Sequence, residues 1–334
     1  MNGSRKDSLV TAVPFDRQNG GGNLDHARLN GCNGTQSNDN DRLPSGILHL
    51  PDNFWETHRI LESSDTDAHS RASYTMSGPA LKGVVPNQAL VLPQQNGDSI
   101  VATVRAINGD AVTFESIRDY RKKANKICGD FKARNLEQSI ALNLLLDPEV
   151  HLVSLAGVAG TGKTLLTLAA AMHQIKTIGC YSQIIVTRSL QAMDTDPGSL
   201  PGTEAEKLHA WLRCIWDNLK ELSKYCGQGD LEEIIEPRAL AFARGSSPSG
   251  YFFIVDEAQN LSPKLMKSVV TRAGFNTKMI FLGNLDQIDN KDLDATTSGL
   301  THLGNTIKHF PRGAALTLKH CERSEVADFG NKYL

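Results

Sequence analysis

The sequence predicts an α/β protein built on a parallel sheet, and three observations carry that expectation. Five apolar runs, at 151–155, 183–187, 251–255, 278–282 and 314–318, alternate with helical patterns near 135–147, 163–177, 203–224 and 262–273. That alternation is the pattern of βαβ units. Between the first run and the helix opening at Lys163 stands Gly157-Val158-Ala159-Gly160-Thr161-Gly162-Lys163-Thr164, a glycine-rich phosphate-binding loop in its strand-then-helix context. Finally, Tyr251 to Val255 reads as a buried strand whose end is acidic, at Asp256 and Glu257.

Taken in order, residues 1–46 are rich in Gly, Asn, Asp and Ser and poor in large apolar residues. Such a stretch cannot bury enough surface to offset chain entropy, so a disordered tail is expected. Residues 47–83 read as a connector. Between 84 and 117, β-type runs at Ala89–Leu92, Ile100–Ile107 and Ala111–Phe114 are broken by Asn96-Gly97 and Asn108-Gly109 turn signals, which predicts a small β module packed on the larger unit from 118 to 334.

With 334 residues, of which 40% are hydrophobic, the chain can bury a substantial core. No apolar run is long enough to cross a bilayer and the first thirty residues lack a signal-peptide core, so a cytoplasmic protein is expected. Cys32, Cys128, Cys180, Cys214, Cys226 and Cys321 contain no C-x-x-C pair; that disfavours a zinc site or a disulfide framework and leaves free thiols as the expectation. A formal net charge of −2 provides no global field for nucleic acid, so such binding would need a local patch. The obvious patch is Arg118, Arg121, Lys122, Lys123 and Lys126 around Tyr120, readable either as phosphate contacts with one stacking aromatic or as a solvated helix face.

The chemistry of the loop constrains each position. Its glycines let backbone N–H groups face a β-phosphate, Lys163 neutralises β and γ oxygens, and the Thr164 hydroxyl suits Mg²⁺. A triphosphatase further needs a metal-holding carboxylate, for which Asp256 stands at a strand end, and a group that polarises the attacking water, for which Glu257 is the candidate. Gln287 follows the 278–282 run and can reach a γ-phosphate or water. Arg323 follows the last run and reads as an arginine finger or as a surface ion pair.

Several motifs in order resemble the PhoH-like ATPases, particularly the C-terminal region of PIN–PhoH proteins: Ala133 to Gln138, the Gly157 loop, Leu200 to Thr203 with Glu206 and Lys207, Asp217 to Leu219, Arg244-Gly245, Asp256 to Asn260, Gln287 to Asp289, Ser298 to Leu300 and Glu322 to Ser324. The resemblance runs from about 131 to 334 and is weaker from about 45. It implies a three-layer RecA-like P-loop NTPase core, Mg²⁺-dependent ATP hydrolysis, a helicase-like relation to single-stranded RNA and a homo-oligomeric ring, with Gln138 reading the adenine edge. The chain departs from the family pattern at Ser189, at Asp194 to Gly198 and at Ser246, which bears on strand separation. Residues 1–46 are too few to build a PIN nuclease, so no ribonuclease activity is expected. One RecA-like core leaves the ATP site to be completed across an interface, with a neighbouring subunit as the expected donor of Arg323.

The expectation is therefore a Mg²⁺-dependent ATPase that couples turnover to RNA binding or unwinding. One alternative is a nucleotide-switched binding protein with slow hydrolysis. The other, a small-molecule kinase, is disfavoured by the adjacent Asp256 and Glu257.

Overall fold

The computed structural model describes residues 43–64, 71–94, 99–188, 213–226, 233–238, 240 and 249–333. Two six-stranded sheets organise them. The first comprises β1 (Ile47–His49), β2 (Arg59–Ser64), β3 (Ser73–Ser77), β4 (Ala89–Pro93), β5 (Ser99–Asn108) and β6 (Ala111–Ser116), in the order β1-β4-β5-β6-β3-β2. All its pairings are antiparallel except β1 with β4. Phe54 from the short helix α1 (Phe54–Thr57), Met76, Leu90, Leu92, Val104 and Phe114 fill its core. The stretch 47–83, expected as a connector, thus supplies three strands, so the module has a core of its own rather than a few hairpins.

The second sheet is wholly parallel: β7 (Leu152–Gly157), β8 (Gln183–Arg188), β9 (Ile235–Pro237), β10 (Tyr251–Asp256), β11 (Lys278–Gly283) and β12 (Gly313–Leu318). Its order is β12-β7-β11-β10-β8-β9. Alternate strand residues serve opposite faces. Val153, Leu155, Ile184, Phe252, Ile254 and Ile280 enter one core with helices α2 (Leu136–Leu146), α3 (Lys163–His173) and α4 (Arg213–Cys226). Ile185, Phe253, Val255, Met279 and Phe281 enter the other, against α5 (Pro263–Val270) and α6 (Gly299–Thr306). Burial on both faces is why these strands read as unbroken apolar runs, and the result is the expected three-layer RecA-like arrangement.

Two ties join the sheets. Thr317 donates through N to Ser45 O (3.1 Å) and through Oγ1 to Pro44 O (2.9 Å), while Ala89 N donates to Gly46 O (2.9 Å). Gly46 has φ +75 and a Cβ there would strike the Ala315 carbonyl, so only glycine threads this crossing. Buried Asn87 donates from Nδ2 to Pro311 O and Gly313 O, both at 2.9 Å. Of the expected tail, residues 1–42 lie outside the described residues.

The expectation of free thiols fails at one pair: Cys128 and Cys226 form a disulfide, 98 residues apart in sequence with Cα atoms 4.9 Å apart. Packing of the α4 C-terminus on the 127–131 turn brings them together, through Phe131 and Tyr225 edge to face. Cys180, Cys214 and Cys321 are free.

Candidate nucleotide site

β7 ends at Gly157 (φ +151), and the loop turns through Gly160 (φ +84) and Gly162 (φ +88) before α3 begins. A side chain at Gly160 would meet Cys321 Sγ at 2.8 Å and Arg323 Cβ at 2.9 Å. Lys163 Nζ donates to Gly157 O (2.6 Å) and Val158 O (3.0 Å), folding the side chain back over the loop. Burial lowers its pKa to about 8, against the opposing pull of Asp256 and Glu257. Thr161 is buried, donating from Oγ1 to Val158 O (3.0 Å), whereas Thr164 in the first turn of α3 is partly exposed.

One strand, β11, separates β7 from β10, so loop and acid pair open on the same edge of the sheet, at the carboxyl ends of the strands where ligands of such sheets bind. Asp256 is buried, and burial, together with the adjacent Glu257, raises its pKa. Cys214 Sγ donates to Asp256 Oδ2 at 3.6 Å; burial, with Asp256 adding, pushes that thiol up to about 12. Glu257 sits at φ +52, a left-handed turn that aims it out of the strand. Arg188 Nη2 donates to Glu257 Oε1 at 3.1 Å and Gln259 Nε2 to Glu257 Oε2 at 2.6 Å.

Gln259 is the hub below the acid pair. Its Nε2 also donates to Gln287 O (2.8 Å), its Oε1 accepts from Asn284 N (3.1 Å), and its carbonyl accepts from Ser298 Oγ (2.8 Å). Gln287 is exposed, and it is its main-chain carbonyl that meets Gln259. Asn260 fastens the same loop, accepting at Oδ1 from Asp289 N (2.8 Å) and Asn290 N (3.2 Å).

The third wall is the segment after β12. Asn135 caps α2 by accepting from Gln138 N (2.9 Å) and donates to Glu322 Oε1 (2.6 Å). Glu322 N donates to Gly160 O (2.9 Å), and Arg134 Nη1 holds the Glu322 carbonyl (2.9 Å). From the last helix, α7 (Glu325–Tyr333), Asn331 donates to Ala159 O (3.0 Å). Arg323 therefore rests on the phosphate loop of its own chain, with its side chain exposed. Gln138 is buried and both amide atoms are engaged, Oε1 accepting from Arg134 N (2.9 Å) and Nε2 donating to Thr161 O (3.1 Å); reading an adenine would require exchanging these bonds.

Elsewhere the expected residues scatter. Tyr120 is buried, with 5% of its surface exposed, which removes it from base stacking. Arg121 pairs with Asp119 at 2.8 Å and Lys126 with Asp130, and the patch is a loop with a single turn of tight helix at Lys123–Asn125 rather than a helix face. Ser189, the 194–203 stretch, Glu206, Lys207 and 244–246 lie outside the described residues. Arg188, Cys214, Gln259 and Glu322 have no role assigned from sequence; Gln259 and Glu322 lie inside recognised motifs and Arg188 and Cys214 near them, which is the signal that was available.

The described residues contain no cluster of three or more His, Cys, Asp or Glu side chains able to hold a metal. Mg²⁺ in triphosphate sites needs only one or two protein oxygens, water and phosphate supplying the rest, so the buried Asp256 carboxylate and the Thr164 hydroxyl fit that ion. A glycine loop with a half-buried lysine, an intervening strand and a strand-end acid pair define a P-loop nucleotide-binding protein. More narrowly, the family described as PhoH-like protein matches residues 130–328, and the chain belongs to it. It is 39% identical over 295 residues to Protein PhoH2 of Bacillus subtilis, covering 86% of this chain and 64% of the relative. It is 32% identical over 246 residues to Protein PhoH2 of Thermobispora bispora, covering 72% and 55%. The chain thus spans between half and two thirds of the length of these relatives. The crystal structure of the Pif1 helicase from Candida albicans superposes with a TM-score of 0.30 at 17% identity, over 57% of this chain and 40% of that one, too distant to inform function. Among the described residues no helix is long and apolar enough to cross a membrane.

Proposed function

We propose that this chain binds ATP with Mg²⁺ and hydrolyses it, coupling turnover to binding or remodelling of single-stranded RNA. The observation that carries the reading is the convergence of Lys163, Asp256 and Glu257 on one sheet edge, close enough for both carboxylates to act on the lysine's charge. Backbone N–H groups of Gly157 to Thr164 and the Lys163 amine would bind the β and γ phosphates. Thr164 and Asp256 would hold Mg²⁺, which supplies charge neutralisation for the leaving phosphates when bound. Glu257 would accept the proton of the attacking water, and Arg323, lying on the loop, would offer a guanidinium to the transition state. Gln287 is retained as a γ-phosphate or water contact, and Gln138 as an adenine contact. The RNA coupling and a ring of identical chains rest on the family resemblance, and a cytoplasmic location on the lack of a membrane-length apolar run.

A second reading has a specific basis. Both Glu257 oxygens are engaged, by Arg188 and by Gln259, which suits a nucleotide-switched binding protein that hydrolyses slowly until these bonds are released.

Mg²⁺-dependent ATP hydrolysis by the purified chain, with and without single-stranded RNA, tests both readings. Several-fold stimulation by RNA supports the coupled ATPase; slow turnover indifferent to RNA supports the switch. A Glu257→Gln chain that hydrolyses at the normal rate would remove Glu257 from the chemistry.

A further inference from the structure

A cavity of about 160 Å³ lies where the first sheet meets the far ends of α2 and α3, lined by Arg71, Arg105, Arg118, Tyr120, Asn143 and His173 among others. Both helices begin at the nucleotide site, and α3 carries the chain about 15 Å from the phosphate loop to this cavity at 1.5 Å per residue. The two sites are separate. We propose that the cavity is a second anion site, taking a phosphoryl group presented as a free phosphate, a small phosphomonoester or an RNA phosphate.

Arg105 and Arg118 are held differently, the first half-buried and the second exposed. Arg105 falls where the β5–β6 register shifts between Val104 and Ala106, and such a bulge re-aims its side chain. It pairs with Glu115 at 3.0 Å and with Asp147. Asp147 and Glu115 are both engaged by Arg105, whereas the Arg118 guanidinium on the same wall has no carboxylate within ion-pair distance among the described residues, so its charge is available to a ligand. The bland account of such arginines is that they serve carbonyls at a helix C-terminus. Here that task is already taken: Lys278 Nζ donates to Leu144 O (3.0 Å) and Asp147 O (2.7 Å) at the end of α2.

A second observation points to a ligand. His173 Nδ1 is buried with no hydrogen-bond partner among the described residues, and its ring borders the cavity. Buried polar atoms are nearly always satisfied. With its proton on Nδ1, the ring would find an acceptor in an oxyanion held by guanidinium forks, and arginine geometry matches phosphate bidentately.

Arg118 can be trimmed without unpinning its loop, because the loop is tied through its main chain: Arg118 N donates to Asn143 Oδ1 (3.1 Å) and its carbonyl accepts from Asn143 Nδ2 (2.7 Å). The test uses titration calorimetry on the Lys163→Ala chain, which weakens anion binding at the phosphate loop, with inorganic phosphate, ribose 5-phosphate and a short single-stranded RNA as probes. At least one probe should bind, and Arg118→Ala added to Lys163→Ala should weaken it roughly ten-fold, the scale of one lost charge-assisted pair. Loss confined to RNA assigns the phosphoryl group to a nucleic acid; loss with inorganic phosphate or ribose 5-phosphate assigns it to a small anion. His173→Gln, added in the same way, should also weaken binding. Melting curves without probe confirm that each variant is folded. Binding by none of the three probes, or binding unchanged by both Arg118→Ala and His173→Gln, overturns the proposal.

Discussion

The Arg188 guanidinium at the end of β8 stands 3.1 Å from the Glu257 carboxylate at the end of β10. The two strands are direct neighbours, with Arg188 in register beside Asp256, so the pair is fixed by the sheet rather than by a flexible loop. Arg188 also lowers the cost of keeping the buried Asp256 charged. Substituting Arg188→Ala should therefore reduce kcat for ATP about ten-fold while changing nucleotide affinity little. Glu257→Gln should lower kcat by a factor on the order of 10² to 10⁴, the range for a lost general base. If Arg188→Ala instead accelerates turnover, the pair is a restraint, and the switch reading gains.

Nucleotide affinity should depend on pH through Lys163. In the free protein its pKa is lowered to about 8 by burial, and a bound triphosphate favours the charged amine. Below pH 8 the amine is already protonated and affinity should be flat; above it, affinity should fall by up to about ten-fold per pH unit. Fluorescent-nucleotide titrations from pH 6.5 to 9.5, set beside Lys163→Arg, read this directly. A wild-type profile as flat as that of the arginine variant would show that Lys163 remains charged throughout.

Arg323 rests on its own chain's loop, against the Gly160 position, whereas one RecA-like core alone suggests an arginine from a neighbour. The contact implies action in cis. Mixing Arg323→Ala with Glu257→Gln should then recover no ATPase activity beyond the sum of the separate chains. Recovery would require a shared site between subunits. Gly160→Ala should be more damaging than either substitution to nucleotide binding, since its Cβ would press on Cys321 and Arg323 at a left-handed φ.

The parallel sheet was legible because its strands are buried on both faces; β8, β10, β11 and β12 each fall within a residue of the apolar run that marks them. The loop and acid pair were legible because their chemistry restricts residue type at fixed spacing. The first sheet was half legible. β2, Arg59–Ser64, is exposed along its whole length, so no hydrophobic alternation betrays it. Lys278 opens β11 yet is fully buried, against every expectation for its charge, because α2 presents two carbonyls to it. Gln259, Arg188 and Glu322 act through contacts between segments distant in sequence, which no local spacing encodes.

The Cys128–Cys226 disulfide closes a span of 98 residues, and a cross-link of that length stabilises by about 4.7 kcal/mol in the chain-entropy account. It ties the end of α4 to the turn before α2, and α4 carries Cys214 against Asp256. Reduction should lower the melting temperature. Cys226→Ser should show the same lowering and no further response to reductant, and peptide mapping of the unreduced chain should recover the two cysteines joined. Equal melting with and without reductant would mean that the thiols are not bonded in solution.

Lys278 makes stability depend on pH. Burial lowers its pKa from 10.5 to about 7, so near neutrality and below, the folded chain bears the full cost of a charged buried amine. Between pH 7 and 10.5 the unfolded chain holds a proton that the folded chain has released, and stability rises with pH by an amount on the order of several kcal/mol. Lys278→Met removes this dependence along with two hydrogen bonds to the α2 carbonyls. At pH 7 the losses and gains are of similar size, and the variant should melt close to the wild type. At pH 9.5 the neutral amine keeps its hydrogen bonds without the charge penalty, so the wild type should be clearly the more stable. Lys163 contributes a smaller rise of the same sign to both proteins and drops out of the difference. Urea unfolding of the two chains at both pH values measures the effect; parallel curves would mean that Lys278 stays protonated in the folded state.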